Sequence, residues 1–198
     1  MKRNKTIPAG KVVEAKLASH APSFIRPSKM SESRKAGLRY ESKAQNHLKQ
    51  IVDLGMKLNP KLRSLPAPWL VFRSDTDAPD FVRYCQPDHV LFDDELMKLT
   101  IIEIKLQHCL EAYEQVRLLY EPVLRFMFPQ YEIAAIELVL WHDPHVQFPE
   151  RFYFEPNMLQ AEAGKFGIHI WNPRYDKAKS GSSPASATRP TNSSPPLG

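Results

Sequence analysis

Pro87-Asp88-His89-Val90-Leu91-Phe92-Asp93-Asp94-Glu95-Leu96-Met97-Lys98-Leu99-Thr100-Ile101-Ile102-Glu103-Ile104-Lys105-Leu106 is the stretch that decides the fold. Two apolar runs flank an acidic centre, Asp93-Asp94-Glu95, which suits a turn, so the two runs form a hairpin. Side chains alternate along a strand. On the second run Ile102, Ile104 and Leu106 therefore share a face that can pack on a core. Glu103 and Lys105 share the other, placing a carboxylate beside an ammonium. A turn near residues 94–98 brings Asp88 close to Glu103.

Working outward, Ser31 or Ser33 can cap a helix that runs to about residue 58, with Leu38, Ala44, Leu48, Ile51 and Val52 on one side. A proline-rich connection follows (Pro60, Pro66, Pro68), then a short strand at 69–73 and an extended run at 81–92. Residues 109–128 have helical spacing, and Pro122 is expected to kink that helix or end its regular part. Residues 132–141 and 166–171 read as further strands. The expected fold class is α/β, a central mixed β-sheet flanked by helices.

The chain has 198 residues, 42% hydrophobic and 25% charged, enough for one globular domain with tails. Residues 1–30 are basic and read as a flexible arm. Residues 31–176 form the expected domain. Residues 177–198 are mostly Ser, Pro, Ala, Gly and Thr and are expected to be disordered, because they have too little apolar surface to offset ordering entropy. The formal charge of +5 is compatible with a phosphate-bearing partner. Cys85 and Cys109 form no CxxC pair, which argues against cysteine-type zinc or iron–sulfur sites and against a disulfide framework. No run reaches the roughly 18 apolar residues of a membrane helix. Met1-Lys2-Arg3-Asn4-Lys5 precedes no apolar run, so no secretory signal is read there. A cytoplasmic, intracellular protein is expected.

Two carboxylates converging at the end of a strand pair suit a hard divalent cation such as Mg2+. Such an ion binds phosphate oxygens and lowers the pKa of bound water, and a neighbouring lysine can orient or deprotonate that water. Pro87-Asp88, fourteen intervening residues and Glu103-Ile104-Lys105 resemble the signature of the PD-(D/E)xK nuclease superfamily, of restriction-endonuclease-like fold. Two features extend the resemblance to the RecB-like, phage-type branch. Glu41 lies on the apolar side of the first helix, four positions after Gly37, as the metal-completing acid of that branch does. Gln115 lies on the inner side of the later helix, where that branch has a glutamine reaching the site. The branch places tyrosine four residues after this glutamine; here that position is Leu119, and Tyr120 comes one later.

The resemblance implies a Mg2+-dependent deoxyribonuclease, with Mn2+ able to substitute, in a stand-alone enzyme of phage or mobile-element type. Glu41, Asp88, Glu103 and the Ile104 carbonyl would hold metal. Asp88, Glu103, Lys105 and Gln115 would form the catalytic set. The alternative is a catalytically silent nuclease fold used for DNA binding or assembly. Taken singly, each residue has a plainer reading. Asp88 fits a turn cap, Glu103 and Lys105 a solvated cross-strand ion pair, Glu41 an ion pair with a neighbouring element, and Gln115 a backbone-satisfied amide. His142 and His145, separated by Pro144, fit a loop, and His108 a helix start. The basic run Lys29, Arg34, Lys35, Arg39 and Lys43 reads as a solvated helix face, part of which could meet the DNA backbone.

Overall fold

Ser31 starts the long helix α1 (Glu32–Leu58), its hydroxyl accepting from the Arg34 amide at 3.3 Å. Glu32 in the first turn and Lys57 in the last complement the helix dipole. Tyr40, Ala44 and Val52 are the buried residues of α1, with Leu48 partly buried against the sheet. Leu38 and Ile51, expected on the inner side, are about half exposed. The true contact line is the four-residue ladder 40, 44, 48, 52, which opens on a tyrosine rather than on Leu38.

The computed structural model describes residues 7, 10–23, 30–107, 109–141 and 166–171. The strands are β1 (Val12–Leu17), β2 (Leu62–Pro66), β3 (Leu70–Ser74), β4 (Arg83–Cys85), β5 (His89–Asp93), β6 (Lys98–Gln107), β7 (Glu132–Trp141) and β8 (Phe166–Ile170). They form a five-stranded sheet of order β2-β5-β6-β7-β8 and a three-stranded sheet of order β1-β3-β4. The larger sheet is mixed: β2, β5 and β6 pair antiparallel, whereas β6, β7 and β8 pair parallel. Among the described residues no helix is long and apolar enough to cross a membrane.

The β5–β6 hairpin forms as expected. Asp93 Oδ1 holds the turn by accepting from the amides of Glu95 and Leu96, and Met97 takes a left-handed φ of 50°. Both faces of β6 are buried. Ile102 and Ile104 meet Tyr40, Ala44, Leu138 and Trp171 on the α1 side. Leu99 and Ile101 meet Val116, Leu119, Val123 and Leu124 on the other. A strand covered on both faces in this way is the normal centre of an α/β layer. Trp171 closes the α1 side: it stacks on His47 with centroids 4.4 Å apart, and its carbonyl accepts from the Tyr40 hydroxyl at 3.1 Å.

The crossover from β6 to β7 is helical from Leu110 to Met127. It comprises α2 (Leu110–Gln115), a π turn (Val116–Tyr120) and α3 (Glu121–Met127). Pro122 neither ends nor breaks this helix. It sits in the first turn of α3, and the preceding turn is wound wider, with the Glu121 amide bonding to the Val116 carbonyl five residues back.

Three further expectations change. Residues 12–17, placed in a flexible arm, form β1 and pair antiparallel with β3. Residues 62–66, placed in a connection, form β2 on the edge of the larger sheet, where a terminal proline is tolerated. The run 81–92 divides between two sheets, β4 in one and β5 in the other. His108, the segment with His142 and His145, and the tail 177–198 lie outside the described residues.

Candidate active site

The site lies at the start of β5, beside the part of β6 that runs on past it. The β5–β6 ladder ends at the pair His89–Ile102. Asp88, just before β5, and Glu103 on β6 are the next step. Beyond that pair the Ile104 amide has lost its ladder partner, and Asp88 replaces it: Oδ2 accepts from Ile104 N at 2.6 Å. The Asp88 backbone is held as firmly, its carbonyl accepting from Ala67 N at 2.9 Å and from Gln45 Nε2 of α1 at 2.8 Å.

Glu103 is only 2% exposed. One of its oxygens, Oε1, is ion-paired with the Lys105 ammonium, two residues along the same face. The other, Oε2, is buried with no hydrogen-bond partner. Burial pushes the Glu103 carboxyl well above the usual range, the Asp88 charge adds to the rise, and Lys105 works against it. Asp88 is raised by burial too; the Ile104 amide and Lys105 pull it down, and Glu41 pushes it further up. For Lys105, burial acts to lower the proton affinity, but the charges of Glu103 and Asp88 outweigh it and the net shift is upward. Lys105 is therefore an ammonium near neutrality.

Asp88, Glu103 and Lys105 thus converge as the spacing predicts. Glu41 is half-buried on α1 and reaches the site through its charge on Asp88. The Ile104 residue is tied to the site through its N–H. Gln115 enters by way of Tyr120: its amide donates to the tyrosine hydroxyl, which donates onward to the Gln86 carbonyl at 2.9 Å. Gln86 lies two residues before Asp88. Burial raises the Tyr120 phenol, as do the charges of Glu103 and Asp88, so it stays protonated and serves as a donor. The π turn inserts one extra residue into the helix, so Tyr120 rather than Leu119 meets Gln115.

Two residues of this centre were not singled out from the sequence. Glu137 of β7 is 0% exposed and is the register partner of Glu103. Its charge is one of those raising Glu103. The signal was present: Leu99-Thr100-Ile101-Ile102-Glu103-Ile104 and Ile133-Ala134-Ala135-Ile136-Glu137-Leu138 share one pattern, an acid set at the same step of two apolar strands. Gln45, one helical turn after Glu41, is the other.

Among the described residues no three His, Cys, Asp or Glu side chains form a group that could hold a metal ion. A pair of carboxylates is nevertheless enough for Mg2+, which retains several waters and shares its remaining positions with substrate phosphate. The buried, unpartnered Oε2 of Glu103 fits that role, because a cation would satisfy an oxygen whose isolation is otherwise costly.

The fold and its site define an α/β protein with a mixed central sheet and a carboxylate–lysine centre at the end of its middle hairpin. Comparison with protein-family models, curated proteins and solved structures finds no match to this chain.

Proposed function

We propose that this chain is a metal-dependent nuclease that hydrolyses DNA phosphodiester bonds inside the cell. The observation that carries this reading is the Asp88–Glu103–Lys105 cluster, in which a buried carboxylate oxygen stands without a partner beside an ammonium. Such a group is expensive to keep in a protein that does not use it. The charge of +5 and the exposed Arg34, Arg39 and Lys43 of α1 suit a polyanionic partner. The free thiols Cys85 and Cys109 suit a reducing compartment.

Asp88 and Glu103, with Glu41 and the Ile104 carbonyl, would hold Mg2+ or Mn2+. The ion would supply a polarised phosphate oxygen and a more acidic bound water. Lys105 positions the attacking water and offsets negative charge that builds on the phosphorus oxygens. Glu103 holds the ammonium at the site until substrate arrives. Tyr120 and Gln115 keep the Asp88 segment from shifting, by fixing the Gln86 carbonyl.

The test is digestion of linear, circular and branched DNA with Mg2+ or Mn2+ and with a chelator. Cutting should require the cation, and Lys105→Ala should remove it by about 100-fold or more while the fold is retained. Tight DNA binding without cation-dependent cleavage by the wild-type chain would instead mark a silent binding module.

A further inference from the structure

Ile51, Leu54 and Leu58 of α1 are 52%, 58% and 79% exposed. Their spacing of three and four residues puts them on one flank of the helix, in line with His47. His47 stacks on Trp171, the residue that follows β8 and whose amide donates to the Val139 carbonyl of β7. The stripe therefore overlooks the β7–β8 side of the sheet. Gln45, bonded to the Asp88 carbonyl, and Gly55, beside Leu62, mark the opposite flank. Below the stripe the sheet is open as well. Alternation from Leu138, which packs on the α1 side, puts Ile136 on that same face. Ile136 is 37% exposed, and its register partner Gly167 has nothing within 4 Å of the place where a Cβ would stand. On the other face of β7, Ile133, Ala135 and Val139 are all buried. Parallel strands are normally covered on both faces. Among the described residues, nothing covers Ile136 and Gly167 beyond the flank of α1.

We infer that this flank is a homodimer interface, in which the α1 stripes of two copies pack antiparallel about a two-fold axis near Leu54. Shape and area argue for a second copy as the occupant. A two-fold contact must be self-complementary, and here a ridge lies beside a hollow on one surface. With Leu54 on the axis, Ile51 of one copy meets Leu58 of the other, and Leu58 is carried back along the partner's helix towards the hollow at Ile136 and Gly167. No charged side chain interrupts the stripe. The ridge and its floor expose apolar surface on the order of 300 Å2, as large as the biggest patch on many monomers. With a polar rim, that suffices for the apolar centre of a dimer burying about 800 Å2 per partner. Residues 172–198 offer only Tyr175 and Leu197 as large apolar side chains, too little to cover the patch from within the chain. The inference does not depend on the nuclease reading.

The experiment is sedimentation velocity on the full chain over about a hundredfold range of concentration. Wild type should sediment as a dimer that dissociates on dilution. Leu54→Glu and Leu58→Glu should each weaken dimerisation at least about 30-fold. Circular dichroism should confirm that both variants keep the fold, because these side chains are exposed in the single chain. Phe81→Glu, at a position 50% exposed beside the smaller sheet, should leave the dimer intact. Gly167→Leu tests the hollow: its side chain has room in one copy but takes the space assigned to Leu58 of the other, so it too should weaken the dimer. Mixing Leu58→Glu with Ile51→Lys should restore a mixed dimer, since the antiparallel order sets those positions opposite each other. A wild-type chain that stays monomeric at every concentration overturns the inference. So does a dimer that neither leucine variant weakens. Should the leucine variants fail to fold, Gly167→Leu and Ile51→Lys carry the test, and a dimer that survives both overturns it.

Discussion

Gln115 donates a hydrogen bond to the hydroxyl of Tyr120, five residues further along the same helical segment. In an α-helix, residues five apart point about 140° away from each other and do not meet. The π turn from Val116 to Tyr120 adds the one residue that brings them onto one side. The tyrosine that comes one position late in the sequence thus arrives where a four-residue spacing would have put it. Pro122 is a physical reason for the widening: it cannot donate to a carbonyl in the preceding turn, and its ring would crowd that carbonyl in a regular helix.

Tyr120→Phe should therefore destabilise the chain out of proportion to the one atom removed. It deletes the donor to the Gln86 carbonyl and the acceptor for Gln115, in a side chain only 1% exposed. The expected cost is about 1–3 kcal/mol, read as a lower urea midpoint at unchanged slope. Amide hydrogen exchange in β5, immediately after Asp88, should accelerate as well. An unchanged midpoint would mean that the tyrosine hydroxyl does not hold this segment.

The raised carboxyls give the cation-free chain a specific pH dependence. A folded-state carboxyl with a raised pKa binds protons that its unfolded counterpart has released. Its contribution is fully present below the unfolded value, about 4, and is lost as pH rises through the folded one. Glu103 and Asp88 both act in this sense. His89 opposes them, since burial lowers its proton affinity and its contribution is gained with rising pH. The difference between wild type and Glu103→Gln separates the two effects. Measured in chelator from about pH 5 to about pH 8, wild type should lose stability relative to the variant by more than about 1 kcal/mol. Parallel curves would show that Glu103 ionises normally in the folded chain.

Much of this site was readable because its signals are local. Alternation fixes the common face of Glu103 and Lys105, the acidic turn fixes the hairpin, and Ser31 marks the helix start. What escaped depends on tertiary partners. β2 was hidden by Pro60, Pro66 and Pro68, which punctuate a loop and an edge strand equally well. The exposed Leu38 and Ile51 fit the helical period as well as Leu48 does, so period alone could not tell which flank of α1 meets the sheet. Gln45 has no hydrophobic signature at all. The π turn is invisible to a count made with one fixed period.

Glu137 offers a sharper check of the β6–β7 register. The two glutamates share one step of a parallel pair, and Glu137 helps to raise Glu103. Glu137→Gln should therefore lower the pH at which Glu103 ionises, visible in a carbon-13 titration of the aspartate and glutamate carboxyls without added cation. The Asp94 carboxyl should not move. It sits at the far end of the hairpin, where the Arg63 guanidinium and the Tyr131 hydroxyl hold it down at about 2. A Glu103 titration unaffected by the substitution would place the two carboxylates further apart than the register requires.

Removal of residues 1–17 distinguishes an arm from a strand. An unpacked arm contributes nothing to stability, whereas β1 pairs along β3 from Val12–Ser74 to Leu17–Leu70. Val12 and Ala15 are partly buried and pack on the same core as Leu70 and Phe72. Deletion would leave β3 as a sheet edge, exposing unpaired backbone groups and apolar surface together. The apolar part alone is worth about 1–3 kcal/mol at about 25 cal/mol per Å2. The truncated chain should therefore melt at a lower temperature and associate more readily at high concentration. Its Mn2+ affinity should be unchanged, because Glu103 lies in the other sheet, and Asp88, which directly precedes a strand of that sheet, is held by Gln45, Ala67 and Ile104. A loss of cation affinity without a loss of stability would reverse the assignment and make this segment part of the site.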